Sequence, residues 1–253
     1  MSKLRLHTFL LFLIVFGANC WADTVGLLIV ATGKYIDFVP SLIASARKHF
    51  CTNHDVTYFV FTDGQIEGED IVRIRQERLG WPYDTLMRLS MYDYHADLFH
   101  DMDYLFATDA DMRFESEVGD EILSDRVATQ HPGYVGRRGT YESRRQSTAY
   151  VDQSEGSHYF AGGFNGGSRE EFLKMAHTIT ENIQKDLEKN IIAVWHDESH
   201  INRYFISNPP TCILSPAYCY PENDAHYRQG IWREAYLRKL VALDKSHAQL
   251  RTH

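Results

Sequence analysis

The chain has 253 residues, 44% hydrophobic, 13% aromatic and 24% charged, which excludes a disordered, fibrous or disulfide-scaffold protein and leaves one folded unit with an ordinary core. Lysine and arginine number 26 against 34 acidic residues, a formal charge of −8, so no nucleic acid is expected as a partner. An anionic substrate is still accessible to such a chain where a divalent cation mediates.

Lys3, Arg5 and His7 precede the apolar run Phe9 to Phe16, and the 15 residues from Thr8 to Ala22 carry no formal charge. A spanning helix needs about 20 apolar residues. Residues 1–22 therefore read as a cleaved signal peptide, with a retained signal anchor as the second reading and a buried first helix as the third. Ala22, with Cys20 two before it, offers the cleavage site. Asn19 is not the small residue that a lipidated cysteine requires. Export from the cytosol or membrane association through this segment is expected of the domain at 23–253. Beyond Cys20, the cysteines are Cys51, Cys212 and Cys219, without metal-site spacing; they read as small buried hydrophobes, with one loop disulfide as the alternative.

The run from Val25 to Thr32 predicts a strand buried on both faces, ended by Gly33. Phe38, Leu42, Ile43, Ala46 and Phe50 recur at helical spacing, with Pro40 suited to a first turn. Val56 to Phe61 then gives a second strand stopped at Thr62-Asp63-Gly64. Strand, helix and strand at this spacing predict a parallel βαβ unit, hence an α/β sheet covered by helices. A polar stretch, Gln65 to Arg78, is followed by one predicted helix from Tyr83 to Phe99. A third strand, Asp103 to Thr108, runs into Asp109-Ala110-Asp111. Between His131 and Gly167 the composition turns to Gly, Arg, Tyr and Ser and reads as loop-rich surface. Helices are predicted at Arg169 to Lys189 and Asp197 to Ile206, with a basic tail from Leu237 to His253. There is no internal repeat, linker or second domain.

Two clusters carry chemistry. Alternate residues of an extended segment share a side, so Asp109 and Asp111 can converge on one hard cation; two solvated loop aspartates are the other reading. The C-terminal end of a buried strand is where ligands bind in open α/β sheets, which favours the first. Trp195-His196-Asp197-Glu198-Ser199-His200 does not meet the H-E-x-x-H zinc pattern. It reads either as a hydrated helix start with Asp197 as cap or as a working carboxylate beside an aromatic platform.

Phe106-Ala107-Thr108-Asp109-Ala110-Asp111-Met112-Arg113-Phe114, His131-Pro132-Gly133-Tyr134, Tyr141-Glu142 with Arg144 to Ser147, Ala161-Gly162-Gly163-Phe164-Asn165-Gly166-Gly167 and Trp195 to His200 occur in that order. Together, across Val25 to Arg251, they resemble glycosyltransferase family 6, the histo-blood-group A and B transferases and α-1,3-galactosyltransferases. The resemblance implies a GT-A fold, a single Rossmann-like mixed sheet flanked by helices. It implies retaining transfer of N-acetylgalactosamine or galactose from a UDP-sugar, in α-1,3 linkage, to a β-galactoside, fucosylated and H-antigen-like.

It further implies that Val30, Ala31 and Tyr35 bind uridine, and that Asp109 and Asp111 bind Mn²⁺, or Mg²⁺, and UDP. Arg88 and Asp197 would contact the donor sugar, with two residues fewer between Arg88 and the triplet than in the family. Lys245 and Arg251 would close over the diphosphate, although a solvated basic tail is the plain reading of such residues. His131, Thr140, Trp195 and Glu198 would meet the acceptor, Glu198 also being the catalytic carboxylate. Ala161, Gly162 and Gly163 match the positions that distinguish the two donor sugars; their small size leaves room for an acetamido group, so N-acetylgalactosamine is expected ahead of galactose.

Two departures stand out. Vertebrate members carry an anchor and stem, and a Golgi lumen would be the setting of such a protein, whereas here the leader abuts the first strand, as in bacterial and phage relatives. Pro221 replaces an acceptor-facing acid, with Glu222 and Asp224 nearby. A metal-dependent UDP-sugar hydrolase and a sugar-binding module without turnover are the rival classes.

Overall fold

The computed structural model describes residues 22–225 and 237–245. The leader, apart from Ala22, and Arg251 lie outside the described residues. Seven strands form one sheet: β1 (Thr24–Val30), β2 (Asp55–Thr62), β3 (Ile71–Arg75), β4 (Tyr104–Asp109), β6 (Val127–Gln130), β7 (Phe160–Ser168) and β8 (Cys212–Leu214), in the order β3-β2-β1-β4-β7-β6-β8. The first four are mutually parallel, β7 runs antiparallel to β4 and β6, and β8 is parallel to β6. This is the mixed α/β sheet of the expected GT-A class. A second, three-stranded sheet that the sequence did not disclose joins β5 (Met112–Phe114), β10 (Leu240–Ala242) and β9 (Tyr220–Pro221). Through it the chain just before Lys245 is bound to the residues just after Asp111.

Alternation along β1 divides the core. Leu27 and Ile29 face α1 (Val39–His49), where Leu42, Ile43 and Ala46 complete the layer with Phe50 and Phe106. Leu28 faces the other way, toward Leu89 of α3 (Arg88–Tyr94), Phe172, Met175 and Ile179 of α4 (Arg169–Glu188), and Ile201 of α5 (His196–Ser207). The sheet is thus dry on both faces and polar groups concentrate at its ends.

Three expectations fail for identifiable reasons. The polar stretch contains β3, an edge strand in which Ile74 is buried and Val72 and Arg73 are exposed, so its alternation is faint. The predicted helix at Tyr83 to Phe99 is broken into α2 (Tyr83–Leu86), α3 and a 3₁₀ turn (Ala96–Phe99), because Met87 and His95 leave helical geometry. The glycine-rich segment ends not as surface loop but as β7, buried over eight of its nine residues. A Cβ on Gly166 would lie 2.3 Å from Phe106 Cδ1, so glycine there permits the aromatic to stack against the strand.

Candidate active site

Val30 and Asp109 are register partners at the C-terminal ends of β1 and β4. The chain leaves β1 toward β2 on one side while β4 lies on the other, the switch point at which open α/β sheets bind ligands. A cavity of about 130 Å³ opens there, walled by Val30, Tyr35, Arg78, Trp81, Arg88, Asp109, Asp111 and Lys245 among others. Ala31, between Val30 and Tyr35 in the chain, is fully buried: its side chain is in the core and its N–H donates to Phe61 O at 2.8 Å.

Arg88 is the hub. It is 5% exposed, yet its Nε and Nη2 donate to Asp197 Oδ2 at 3.0 and 2.6 Å, its Nη2 also to Gly162 O at 2.8 Å, and its Nη1 to Asp109 Oδ1. Burial acts to lower its pKa, but the charges of Asp197 and Asp109 outweigh that and hold it above the ordinary arginine value. Asp197 is therefore not the hydrated helix cap of the plainer reading: it is 1% exposed and α5 begins without a side-chain cap. Instead, His196 takes a left-handed φ of 52°. A non-glycine residue there costs about 1–3 kcal/mol, and strain of that kind concentrates at functional sites.

Glu198, half-buried, accepts the Gly162 N–H at 2.8 Å on Oε2. Burial pushes its carboxyl up to about 7, against the Gly162 and Tyr159 donors and with help from Asp197 and Asp109. At Asp111, burial and the Asp109 charge raise the pKa, opposed by Lys245. Lys245 Nζ contacts Asp111 Oδ2 and sits 5.1 Å from the Tyr35 ring centroid. Each triplet carboxylate thus faces a cation of the chain itself. Two hard oxygen donors suit a divalent ion that takes its remaining ligands from phosphate and water. Among the described residues no three His, Cys, Asp or Glu gather around one point.

His131 is half-buried; its Nδ1 accepts the Gly133 N–H at 2.9 Å and burial lowers its pKa to about 4. It is neutral with Nε2–H as the donor. Its ring lies 4.9 Å from that of Tyr134 and 5.7 Å from that of Tyr159, while Tyr134 Oη shares a 2.6 Å hydrogen bond with exposed Thr140. Trp195, 46% exposed, sits where its backbone N–H donates to Ser199 Oγ at 3.0 Å and the preceding Val194 backbone N–H donates to Glu142 Oε2 at 2.8 Å. Glu222 and Asp224 are engaged elsewhere, Glu222 with the Asp244 N–H and Arg113, and Asp224 with Tyr220 and Arg238. The three described cysteines are free, so the loop-disulfide alternative falls.

Sequence reasoning missed Trp81, Arg78 and Asn202. Trp81 is 54% exposed and meets the His196 ring edge-on at 5.4 Å. Asn202, 1% exposed, accepts the Phe160 N–H at 2.8 Å and donates to Phe160 O at 2.8 Å and Glu198 O at 2.9 Å, locking α5 onto the start of β7. Its place one helical turn after Glu198 was the available signal. Asn202→Ala strands these backbone groups; it should cost about 1–3 kcal/mol in chemical denaturation and lower kcat more than it raises KM.

The mixed sheet with its cluster of site residues at the strand ends is that of a glycosyltransferase, and the chain belongs to glycosyltransferase family 6, which it matches over residues 18–252. It is 34% identical to histo-blood group ABO system transferase 1 of Rattus norvegicus over 242 residues, 90% of this chain and 68% of that protein. It is 33% identical to globoside alpha-1,3-N-acetylgalactosaminyltransferase 1 of Gallus gallus over 90% of this chain and 69% of that protein. The O-antigen biosynthesis glycosyltransferase WbnI of Escherichia coli is 30% identical, over 76% of this chain and 86% of its own.

Proposed function

We propose that the enzyme transfers N-acetylgalactosamine, in preference to galactose, from its UDP donor to the 3-hydroxyl of a fucosylated β-galactoside with retention. The observation that carries the reading is the single hydrogen-bonded unit of Asp109, Arg88, Asp197, Gly162 and Glu198 at the end of β4. In it, diphosphate-binding and sugar-binding groups are adjoining.

Val30 and Tyr35 border the uridine. Asp109 and Asp111 would hold Mn²⁺ or Mg²⁺, which when bound supplies positive charge to the departing diphosphate. Lys245, which contacts Asp111, would meet that phosphate, and Arg251, outside the described residues, is proposed beside it. Such cations favour the transition state over the ground state, because the leaving UDP gathers negative charge as the bond breaks. Arg88 and Asp197 orient the donor sugar hydroxyls. Glu198 presents its carboxylate to the anomeric carbon. His131, Thr140 and Trp195 receive the acceptor, His131 as a neutral donor. Cations brought over the diphosphate would also keep water from the activated sugar.

Among the described residues no helix is long and apolar enough to cross a membrane. We assign export or tethering to residues 1–22. Because nucleotide sugars are made in the cytosol, this requires either a lumen supplied with donor or a tether that leaves the domain inside.

UDP release, measured with Mn²⁺ and with or without a fucosylated galactoside, separates the candidate classes. Acceptor-dependent release is expected. Equal release without acceptor would mean a hydrolase, and sugar binding without release a binding module. Asp109→Asn should abolish most of the metal-dependent rate; an unchanged rate would remove the metal from the proposal.

A further inference from the structure

The segment from Tyr141 to Val151 has no part in the chemistry above, yet its polar side chains turn toward the connection between α4 and α5. Glu142 is 2% exposed. Its Oε2 accepts the backbone N–H of Val194 at 2.8 Å and Arg144 Nη2 at 2.6 Å, while its Oε1 accepts the backbone N–H of Arg144 at 2.8 Å and Arg144 Nε at 3.0 Å. Arg144 Nη2 also donates to Ile192 O. One ion pair thus clips both the Ile192 carbonyl and the Val194 N–H, within the three residues that precede Trp195. Farther along the segment, Ser147 Oγ and the Thr148 N–H donate to Asp186 of α4, itself 1% exposed, the second at 2.7 Å. The segment is thereby anchored to the end of α4 as well.

What the clip holds is a turn under strain. Residues 191–193 form neither helix nor strand, Val194 and Trp195 make a turn, and His196 follows at its left-handed φ of 52°. Such a conformation persists where its surroundings over-determine it. The turn delivers Trp195 to the acceptor and Asp197 and Glu198 to the donor sugar. Asp197 is also held by Arg88, and Glu198 by the Gly162 N–H. Trp195 is 46% exposed, so its place is set by the backbone on which it stands. Burial acts to raise the Glu142 pKa, but the Arg144 side chain and the Arg144 and Val194 N–H groups outweigh it and hold the carboxyl down to about 2. The pair is therefore charged throughout the neutral range.

We infer that Glu142, together with Arg144, is a positioning residue for acceptor binding: the pair locks the backbone of residues 192–194 so that Trp195 stands where the acceptor docks. This rests on the transferase reading above, in which Trp195 meets the acceptor.

Steady-state kinetics of Glu142→Gln, Arg144→Gln and the double variant test it, with Mn²⁺, UDP-N-acetylgalactosamine and a fucosylated galactoside. The Glu142→Gln change keeps the volume and leaves the Arg144 side chain, 48% exposed, to water, so the fold should hold. Each single variant should raise the acceptor KM about tenfold, a part of the roughly hundredfold that a 1 Å misplacement can cost, and leave the donor KM within twofold. The double variant should be no worse than the worse single one, since either change opens the same clip. Arg145→Gln removes a neighbouring exposed charge outside the clip and should leave the acceptor KM unchanged. A fall in kcat with both KM values unchanged, the mark of a merely structural loss, overturns the inference and leaves the transferase reading intact. An equal rise of acceptor KM in Arg145→Gln does the same, because the effect would then belong to surface charge. Absence of acceptor-dependent turnover by the unmodified enzyme overturns the transferase reading and the inference together.

Discussion

Arg88→Ala is expected to lose both fold stability and transfer. The side chain is 6% exposed against 2% for Asp197, and removing it leaves Asp197 buried without its cation and the Gly162 carbonyl without its donor. Breaking a buried pair from one side costs about 3–5 kcal/mol, because the remaining charge is uncompensated. Asp109, 43% exposed, is screened by water and adds little to that loss. Urea denaturation of Arg88→Ala checks the figure. Adding Asp197→Asn to the alanine variant should recover part of the stability, since the stranded charge is gone, and none of the activity, since the pair proposed to orient the sugar is gone with it. Arg88→Lys should be intermediate in stability and nearly inactive: an ammonium is a point charge and cannot reach Asp197, Asp109 and Gly162 O with the arginine fork. A loss below about 1 kcal/mol in Arg88→Ala would contradict the buried-pair argument.

Glu198→Gln is expected to cut kcat by about 10²- to 10³-fold, the scale of one lost transition-state electrostatic contact. Glutamine keeps the volume and an acceptor oxygen for the Gly162 N–H, so the fold should hold and the change should fall on chemistry. The pH profile adds an independent sign. A carboxyl raised to about 7 is protonated below that value and ionised above it, so kcat/KM of the unmodified enzyme should climb as pH rises toward neutrality. The glutamine variant should lack that limb. A near wild-type rate, or a limb that persists in the variant, would count against Glu198.

Much of this architecture was legible in the sequence where one physical signal dominated. Val25 to Val30 and Tyr104 to Ala107 are uninterrupted apolar runs, as expected of strands covered on both faces. The carboxylates at Asp109 and Asp111 followed from the end of such a run. What could not be read depended on contacts across the chain. Gly162 and Gly163 looked like loop composition because a strand packed against Phe106, Asp109 and Cys219 has no room for side chains, and the absence of side chains erases the alternation that marks a strand. Asp197 looked like a cap because its partner, Arg88, lies 109 residues away.

The most direct measurement of the central claim is the anomeric configuration and linkage of the first product. Proton NMR during the reaction of UDP-N-acetylgalactosamine with a fucosylated galactoside and Mn²⁺ should show an α-configured sugar on the galactose 3-hydroxyl, at early times before any mutarotation of free sugar. A β-linked product, or free N-acetylgalactosamine with the acceptor unchanged, would contradict it.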